Sequence, residues 1–307
     1  MQFIKKTNID FLAKRKIALI ISGFLILAGF VTMIAKGGPD YSIDFLGGTE
    51  IHVRFNSEIK INKIRDALNQ VGYGTAEIKN FGNERDVLIR VEKQQESSEV
   101  SDAILSTLTT EFPQNTPTLL SVDAVGPKIG SELRTQSILA VFFALLLILI
   151  YVWLRFEFVF GIGAIVALFH DVLFTLGVFS VLGLEISLSV LAAFFTIVGY
   201  SLNDTIVVFD RIRENLKSRR RDDFFTVINV SINQSLSRTV ITSLTTFVVV
   251  LVLYTNGGEV LHNFSFALLV GVVVGTYSSV FIATPVVAEW GYRQAQAAAK
   301  SARKSRK

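Results

Sequence analysis

Along the 307 residues the apolar positions gather into six long runs, separated by short polar turns and by one long polar stretch. The runs cover 17–35, 136–154, 158–182, 187–209, 236–255 and 264–288. Each is near the roughly 20 residues that a helix needs to cross a bilayer core at about 1.5 Å per residue. The run 136–154 holds no charged residue across its 19 positions, a pattern made routine only by membrane-spanning helices. The first run follows Lys5, Lys6, Lys14, Arg15 and Lys16. It is longer than the roughly 7 to 15 apolar residues of a secretory signal and ends in Thr32-Met33-Ile34-Ala35-Lys36 with no small-residue cleavage pattern, so it is expected to stay as an uncleaved span.

The polar stretch 36–135 is patterned as a water-facing domain. Strict alternation over 49–55 predicts a strand, and Ile61, Ile64 and Leu68 at helical spacing predict a helix over 59–70. Strands are expected at 75–81 and 86–92, joined by Gly82-Asn83; a second helix over 97–111 carries Ala103, Ile104 and Leu108, and a last strand runs over 118–125. The order β-α-β-β-α-β is the split βαβ, ferredoxin-like arrangement, which hosts many unrelated functions and names none. The expected fold class is a multi-pass α-helical membrane protein, six transmembrane helices with one periplasmic α+β ferredoxin-like domain between the first and second. Its expected parts are a cytoplasmic N-terminus 1–16, a first span 17–35, the α+β domain 36–135, a five-helix bundle 136–288 with a cytoplasmic stretch 210–235, and a basic cytoplasmic tail 289–307.

Composition agrees: half the residues are hydrophobic and only 18% are charged, too apolar for an ordinary soluble domain. The net charge of +4 does not point to nucleic acid, because the basic residues are dispersed among short loops. They set topology instead. Nineteen Lys and Arg fall on the side of the two termini, and none falls in the turns 183–185 and 256–259 opposite. Both termini are therefore expected in the cytoplasm and the long segment outside it. The basic run 300–307 could bind lipid headgroups or ribosomes or serve simply as a disordered topology anchor, and the anchor is the favoured reading.

Without cysteine there is no disulfide, thiolate nucleophile or Cys-containing metal site, and His52, His170 and His262 are too far apart in sequence to show ligand spacing, so no metal is expected. Gly126-Pro127-Lys128-Ile129-Gly130-Ser131 lacks the end of a phosphate-cradling loop, and neither G-x-S-x-G nor H-E-x-x-H occurs. Neither an enzyme nor a cofactor is expected. A membrane ion gradient, worth about 2.3 kcal/mol per charge per 100 mV, is the available energy source.

Ionisable groups inside a bilayer cost about 2.5 to 3.5 kcal/mol by insertion scales and are functional candidates by default. Asp171 follows His170 in the third span, Asp204 lies in the fourth within Gly199-Tyr200-Ser201-Leu202-Asn203-Asp204-Thr205, and Arg238 opens the fifth. Counting residues from the expected cytoplasmic ends puts Asp204 and Arg238 at comparable depth, so a direct or water-bridged contact is expected if their helices adjoin. Two readings stay open for the pair, a static ion pair or a titrating site. Thr242 and Thr245 share a helical face with Arg238; their hydroxyls either carry a water chain or bond their own backbone. Asn203 and Ser201 are expected beside Asp204, which would suit H⁺ or Na⁺ alike. His170 is expected to donate to a neighbouring helix, its adjacency to Asp171 leaving a relay role open. Gly271 and Gly275 form a G-x-x-x-G that predicts close helix packing.

The run 197–215, with Asp44-Phe45-Leu46-Gly47-Gly48-Thr49, Phe169-His170-Asp171-Val172 and Ser237-Arg238-Thr239-Val240-Ile241-Thr242-Ser243-Leu244-Thr245-Thr246, closely resembles the SecD/SecF family of bacterial protein-export subunits, on its SecF side. The likeness extends over about residues 10–290. It implies a member of the RND superfamily that pairs with SecD beside the SecYEG channel and accessory Sec membrane subunits, and uses a proton or sodium gradient to help draw secreted preproteins outward. In that family the residues matching Asp204 and Arg238 are regarded as ion-pathway residues. By analogy Asp171 contributes to the pathway, and the motif Asp44, Gly47, Gly48 and Thr49 couples the outside domain to the spans. A small-molecule pump and a passive scaffold of the translocon remain as rival classes.

Overall fold

The computed structural model describes residues 7–81, 83–92 and 97–293. The expectations resting on Lys5, Lys6, Gly82 and the basic tail 294–307 lie outside the described residues. A 3₁₀ turn, Leu12–Lys14, leads into α1 (Arg15–Ala35), followed by α2 (Ile43–Leu46), β1 (Gly48–Arg54), α3 (Ile61–Gln70), β2 (Glu77–Phe81), β3 (Asn83–Val91), α4 (Ser97–Glu111) and β4 (Thr118–Val125). Then come α5 (Pro127–Arg155), α6 (Phe158–Leu182), α7 (Leu188–Ser218), α8 (Phe224–Asn256) and α9 (Gly258–Ser278), and a π-helical segment Ser279–Ala283 that continues as α-helix over 284–293. The chain divides into two compact units: Tyr41–Val141, and the remainder on either side of it, with the division falling inside α5.

In the unit Tyr41–Val141 the sheet order is β2-β3-β1-β4, with every neighbouring pair antiparallel. Each helical connection thus skips a strand: α3 links β1 to β2 with β3 between them, and α4 links β3 to β4 with β1 between them. Ile51 stands opposite both Ile89 and Val122, so the alternation seen in the sequence sends Ile51, Val53, Val87 and Ile89 to one face, where Ile64 and Ile104 of the helices close a core with almost no exposure.

The opposite face carries charge. Arg90, 4% exposed, pairs with Glu50 at 2.8 Å and Glu77 at 2.9 Å, and Arg54 forks onto both oxygens of Asp86 at 2.6 Å. Burial pushes Glu50 up, but His52 and Arg90 beside it outweigh burial and hold its carboxyl below the usual 4.5. The Arg54 fork, with Asn83 donating as well, holds Asp86 below the usual 3.8. Between α2 and β1 the backbone needs positive φ twice, at Gly47 (+75°) and Gly48 (+119°), and a Cβ on Gly48 would stand 2.7 Å from the Val91 carbonyl oxygen.

Among the described residues six helical stretches, including α1 and α5 through α9, are long and apolar enough to cross a membrane. α5, α7 and α8 depart from the expected bounds for one reason, that helices outlast their apolar runs. α5 begins at Pro127, ahead of position 136, because proline suits a first helical turn and polar residues such as Lys128 and Glu132 propagate a helix without being apolar. The stretch 210–235 is helical except for 219–223: α7 runs on to Ser218, and α8 starts at Phe224 behind an Asp223 cap that accepts from Phe225 N and Thr226 N. At about 1.5 Å per residue, α7 is roughly 45 Å long, well beyond a bilayer core of about 30 Å. Its polar last turns are tied to α8 by Asn215, which donates to Ser231 at 2.9 Å and Gln234 at 2.8 Å. The chain before α1 is held as well, since Asn229 and Asn233 of α8 exchange hydrogen bonds with the backbone of Ile9 and Phe11.

Packing follows the small residues. Gly29 of α1 lies against the backbone of Gly177 in α6. Gly271 and Gly275 of α9 lie against Ile197 and Ser201 of α7, where a Cβ on Gly271 would run into the isoleucine side chain. Outward-facing positions are apolar, such as Ile20 and Phe24 on α1, Trp153 and Leu154 on α5, and Val249 on α8.

Candidate functional site

Asp171, 1% exposed, sits in α6 with polar partners from three directions. His170 Nδ1 lies 2.8 Å from its Oδ1, Ser201 of α7 donates to Oδ2 at 2.5 Å, and Ser278 of α9 donates to the same oxygen at 2.7 Å. Among the described residues His170 thus pairs within its own helix rather than donating to a neighbouring one, and its Nε2 is buried without a hydrogen-bond partner. Ser201, expected beside Asp204, serves Asp171: the approach of α9 at Gly275 brings the serine against the α6–α9 seam.

Asp204, also 1% exposed, lies one turn further along α7. Its Oδ2 accepts from Ser243 of α8 at 3.2 Å and from Thr276 of α9 at 3.4 Å, and these two hydroxyls are 2.6 Å apart. The polar interior is therefore built where α6, α7, α8 and α9 meet, and α9 contributes to both carboxylates through Thr276 and Ser278.

The other expected residues fall elsewhere. Arg238 is exposed and forms no ion pair with Asp204 among the described residues, because the α8 face turned to α7 carries Thr239 and Ser243 instead. Thr242 is exposed and its hydroxyl donates back to the carbonyls of Arg238 and Thr239, as does that of Thr245 to Thr242. Asn203 faces outward on α7. In the other unit, Ser42 accepts from Asp44 N at 3.3 Å as the cap of α2, and Thr49 is buried in β1 beyond Gly47 and Gly48.

Ser243, Thr276 and Ser278 escaped the sequence reading, since single hydroxyls in an apolar helix are common and carry no periodic mark. One signal was present. Pro285 interrupts the last run, and a proline has no N–H to give to a carbonyl one turn back. The helix answers with the π segment Ser279–Ala283, immediately after the residues that donate to the two aspartates, and Thr284, which caps the segment, donates its Oγ1 hydrogen to the Ser279 carbonyl at 2.7 Å.

Carboxylates kept from solvent inside a bundle of apolar helices, with hydroxyls and an imidazole as their hydrogen-bond partners among the described residues, mark the class of multi-pass membrane proteins with a polar site inside the spans. The family model "Protein export membrane protein SecD/SecF, C-terminal" matches residues 104–293. The protein translocase subunit SecF of Rhodothermus marinus is 46% identical over 96% of this chain and 97% of its own length, and that of Vibrio alginolyticus is 41% identical over 94% and 91%. The chain belongs to the SecD/SecF family, and its role lies in Sec protein export, as a multi-pass protein of the inner membrane. Among solved structures, SecDF of Thermus thermophilus, described as a translocon-associated membrane protein, superposes with a TM-score of 0.84 at 39% identity over 93% of this chain. This chain spans 39% of the length of that one. A second SecDF structure, in its super-membrane-facing form, gives 0.69 at 37% identity over 98% of this chain.

Proposed function

We propose that this protein works with SecD beside the SecYEG channel, and uses a transmembrane proton or sodium gradient to assist the passage of secreted proteins, with Asp204 as the group that takes up and releases the ion. The observation that carries this reading is a carboxylate 1% exposed in the middle of a membrane helix, contacted by the hydroxyls of Ser243 and Thr276 and by no basic side chain among the described residues. A charge placed so is costly, so loading the ion and releasing it favour different packings of the helices around it. Arg238, on α8 beside the face that carries Thr239 and Ser243, is the cation that Asp204 meets in the other half of the cycle. The unit Tyr41–Val141 is the ferredoxin-like domain and lies on the periplasmic side, where it meets translocating chains, and the segment Asp44 to Thr49 passes movement of the spans to it. No cofactor takes part.

Export of a secreted reporter in cells whose only copy carries Asp204→Asn tests the reading, with pull-down of SecD in parallel. Asparagine keeps the size and removes the titration. Export is expected to fall to the level of cells lacking the chain while the complex assembles normally. Unchanged export would make Asp204 structural and leave the protein a scaffold.

A further inference from the structure

The two aspartates share more than a helix bundle. A hydroxyl owns one hydrogen, and both α9 hydroxyls have two acceptors within reach. Ser278 Oγ is 2.7 Å from Asp171 Oδ2 and 3.1 Å from the Gly275 carbonyl oxygen. Thr276 Oγ1 is 3.4 Å from Asp204 Oδ2 and 2.8 Å from the Val272 carbonyl oxygen, and touches Ser243, which itself reaches Asp204. A hydrogen bond to an ionised carboxylate is about twice as strong as one between neutral groups. The hydroxyl therefore gives its hydrogen to a charged aspartate and returns it to its own helix when the aspartate is neutral.

We infer that Asp171, with His170, is a second proton-binding site, and that the segment 276–278 of α9 couples it to Asp204 by passing its hydroxyl hydrogens between carboxylate and helix carbonyl. The inference rests on the reading of Asp204 as an exchanging group. Three features fit it. Ser201, which donates to Asp171, and Asp204 stand one turn apart on α7, so the same two helices touch both sites. The π segment begins at Ser279, directly after the coupling residues, and Ser279 Oγ donates to the Thr276 carbonyl at 2.9 Å. Among the described residues His170 Nε2 is buried with no hydrogen-bond partner, and the ring's hydrogen bond there is to the carboxylate with which it would share the proton. Among the described residues, His170 is the ionisable group hydrogen-bonded to Asp171; of the helices that touch the site, α9 carries Tyr277, whose ring lies 6.0 Å from that of His170, and α7 carries Tyr200 and Asp204 on either side of Ser201 in sequence. α1, which packs on α6 and bonds the Tyr277 hydroxyl through Ser22 and the Ala18 carbonyl, brings no ionisable residue after Lys16, and the π segment brings none. Ser201, Thr276 and Ser278 are positioning residues in this scheme.

The test is infrared difference spectroscopy of the protonated-carboxyl bands during a pH titration of the full chain with SecD in lipid nanodiscs. Two buried carboxyls are expected to titrate, each assigned by loss of its band in Asp171→Asn or Asp204→Asn. Each single variant shifts the midpoint of the remaining aspartate, because the midpoints belong to the pair. Ser278→Ala shifts the Asp171 midpoint by about one pH unit and the Asp204 midpoint with it, while Ser278→Thr, which keeps the hydroxyl, restores both. An Asp171 that holds one protonation state across the range in which the protein stays folded would overturn the inference, as would midpoints indifferent to removal of the other carboxyl. Stalled export in Asp204→Asn with independent midpoints leaves the proposed function standing and removes only the coupling. Normal export with coupled midpoints does the reverse.

Discussion

Asp86 and Glu50 titrate lower in the folded protein than in the unfolded chain, where the ordinary values of 3.8 and 4.5 apply. As pH falls, the unfolded chain takes up these protons first, so the carboxylates add stability in full above about pH 5 and lose it as pH drops through their folded-state values. Replacing Asp86 by Asn is expected to cost about 1 kcal/mol at neutral pH, a figure kept small because the Arg54 side chain is 53% exposed, and to flatten the acid dependence. Amide exchange of the β1 and β3 interior in the full chain, normalised to unfolded-peptide rates at each pH, reads this directly. Equal acid sensitivity in the variant and the parent would assign the loss to other groups. Residues of this kind were partly legible in the sequence. Asp171 and Asp204 stood out because a carboxylate in an apolar run is costly wherever the helix turns. Their donors Ser243, Thr276 and Ser278 did not, because which hydroxyl meets which carboxylate is set by helix rotation and crossing, and no spacing within a single helix records that.

Among the elements, apolar periodicity located the six long apolar helices, and α3, α4 and the four strands of the unit Tyr41–Val141, because burial and membrane contact both act on runs of side chains. It located ends poorly. α5, α7 and α8 continue past their apolar runs, since backbone hydrogen bonding and capping by Asp223 sustain a helix that hydropathy no longer marks. The short α2 was missed because four residues hold no periodicity. Packing was legible at Gly271 and Gly275, which form a motif, and silent at Gly29 and Gly177, which do not. Two glycines of α1 separate propensity from packing. A Cβ at Gly29 would strike the Gly177 backbone, which has no rotamer with which to yield, whereas Gly23 has nothing within 4 Å. Gly29→Ala is expected to lower the stability of the detergent-solubilised protein by about 1 to 3 kcal/mol. Gly23→Ala is expected to leave it unchanged or raise it by up to about 1 kcal/mol. Thermal unfolding of the two variants side by side decides it, and equal effects would mean that α1 is not held at that crossing.

For the whole molecule, the distribution of charge predicts which side of the membrane each part of the chain takes. Basic residues crowd the ends of the chain and the α7–α8 connection, while the turns 183–185 and 256–259 have none, and positive residues resist transfer across the inner membrane in short loops. The unit Tyr41–Val141 has no vote of its own, being a long segment in which acidic residues outnumber basic ones, so its side follows from the spans that flank it. If each of the six long apolar helices crosses once, the crossing by α1 is expected to put this unit opposite the N-terminus, and the five further crossings from α5 to the last helix to return the C-terminus to the side of the N-terminus. The absence of cysteine makes the arrangement measurable without background. Thr109→Cys, exposed on α4, is expected to react with a membrane-impermeant maleimide in cells whose outer membrane has been opened, and Arg220→Cys, in the α7–α8 connection, only after the inner membrane is lysed. The reverse pattern would place the soluble unit in the cytoplasm and sever the proposed link to chains emerging from the channel. Labelling of both before lysis would mean an odd number of crossings lost between positions 109 and 220, and one of α5, α6 and α7 would then not span.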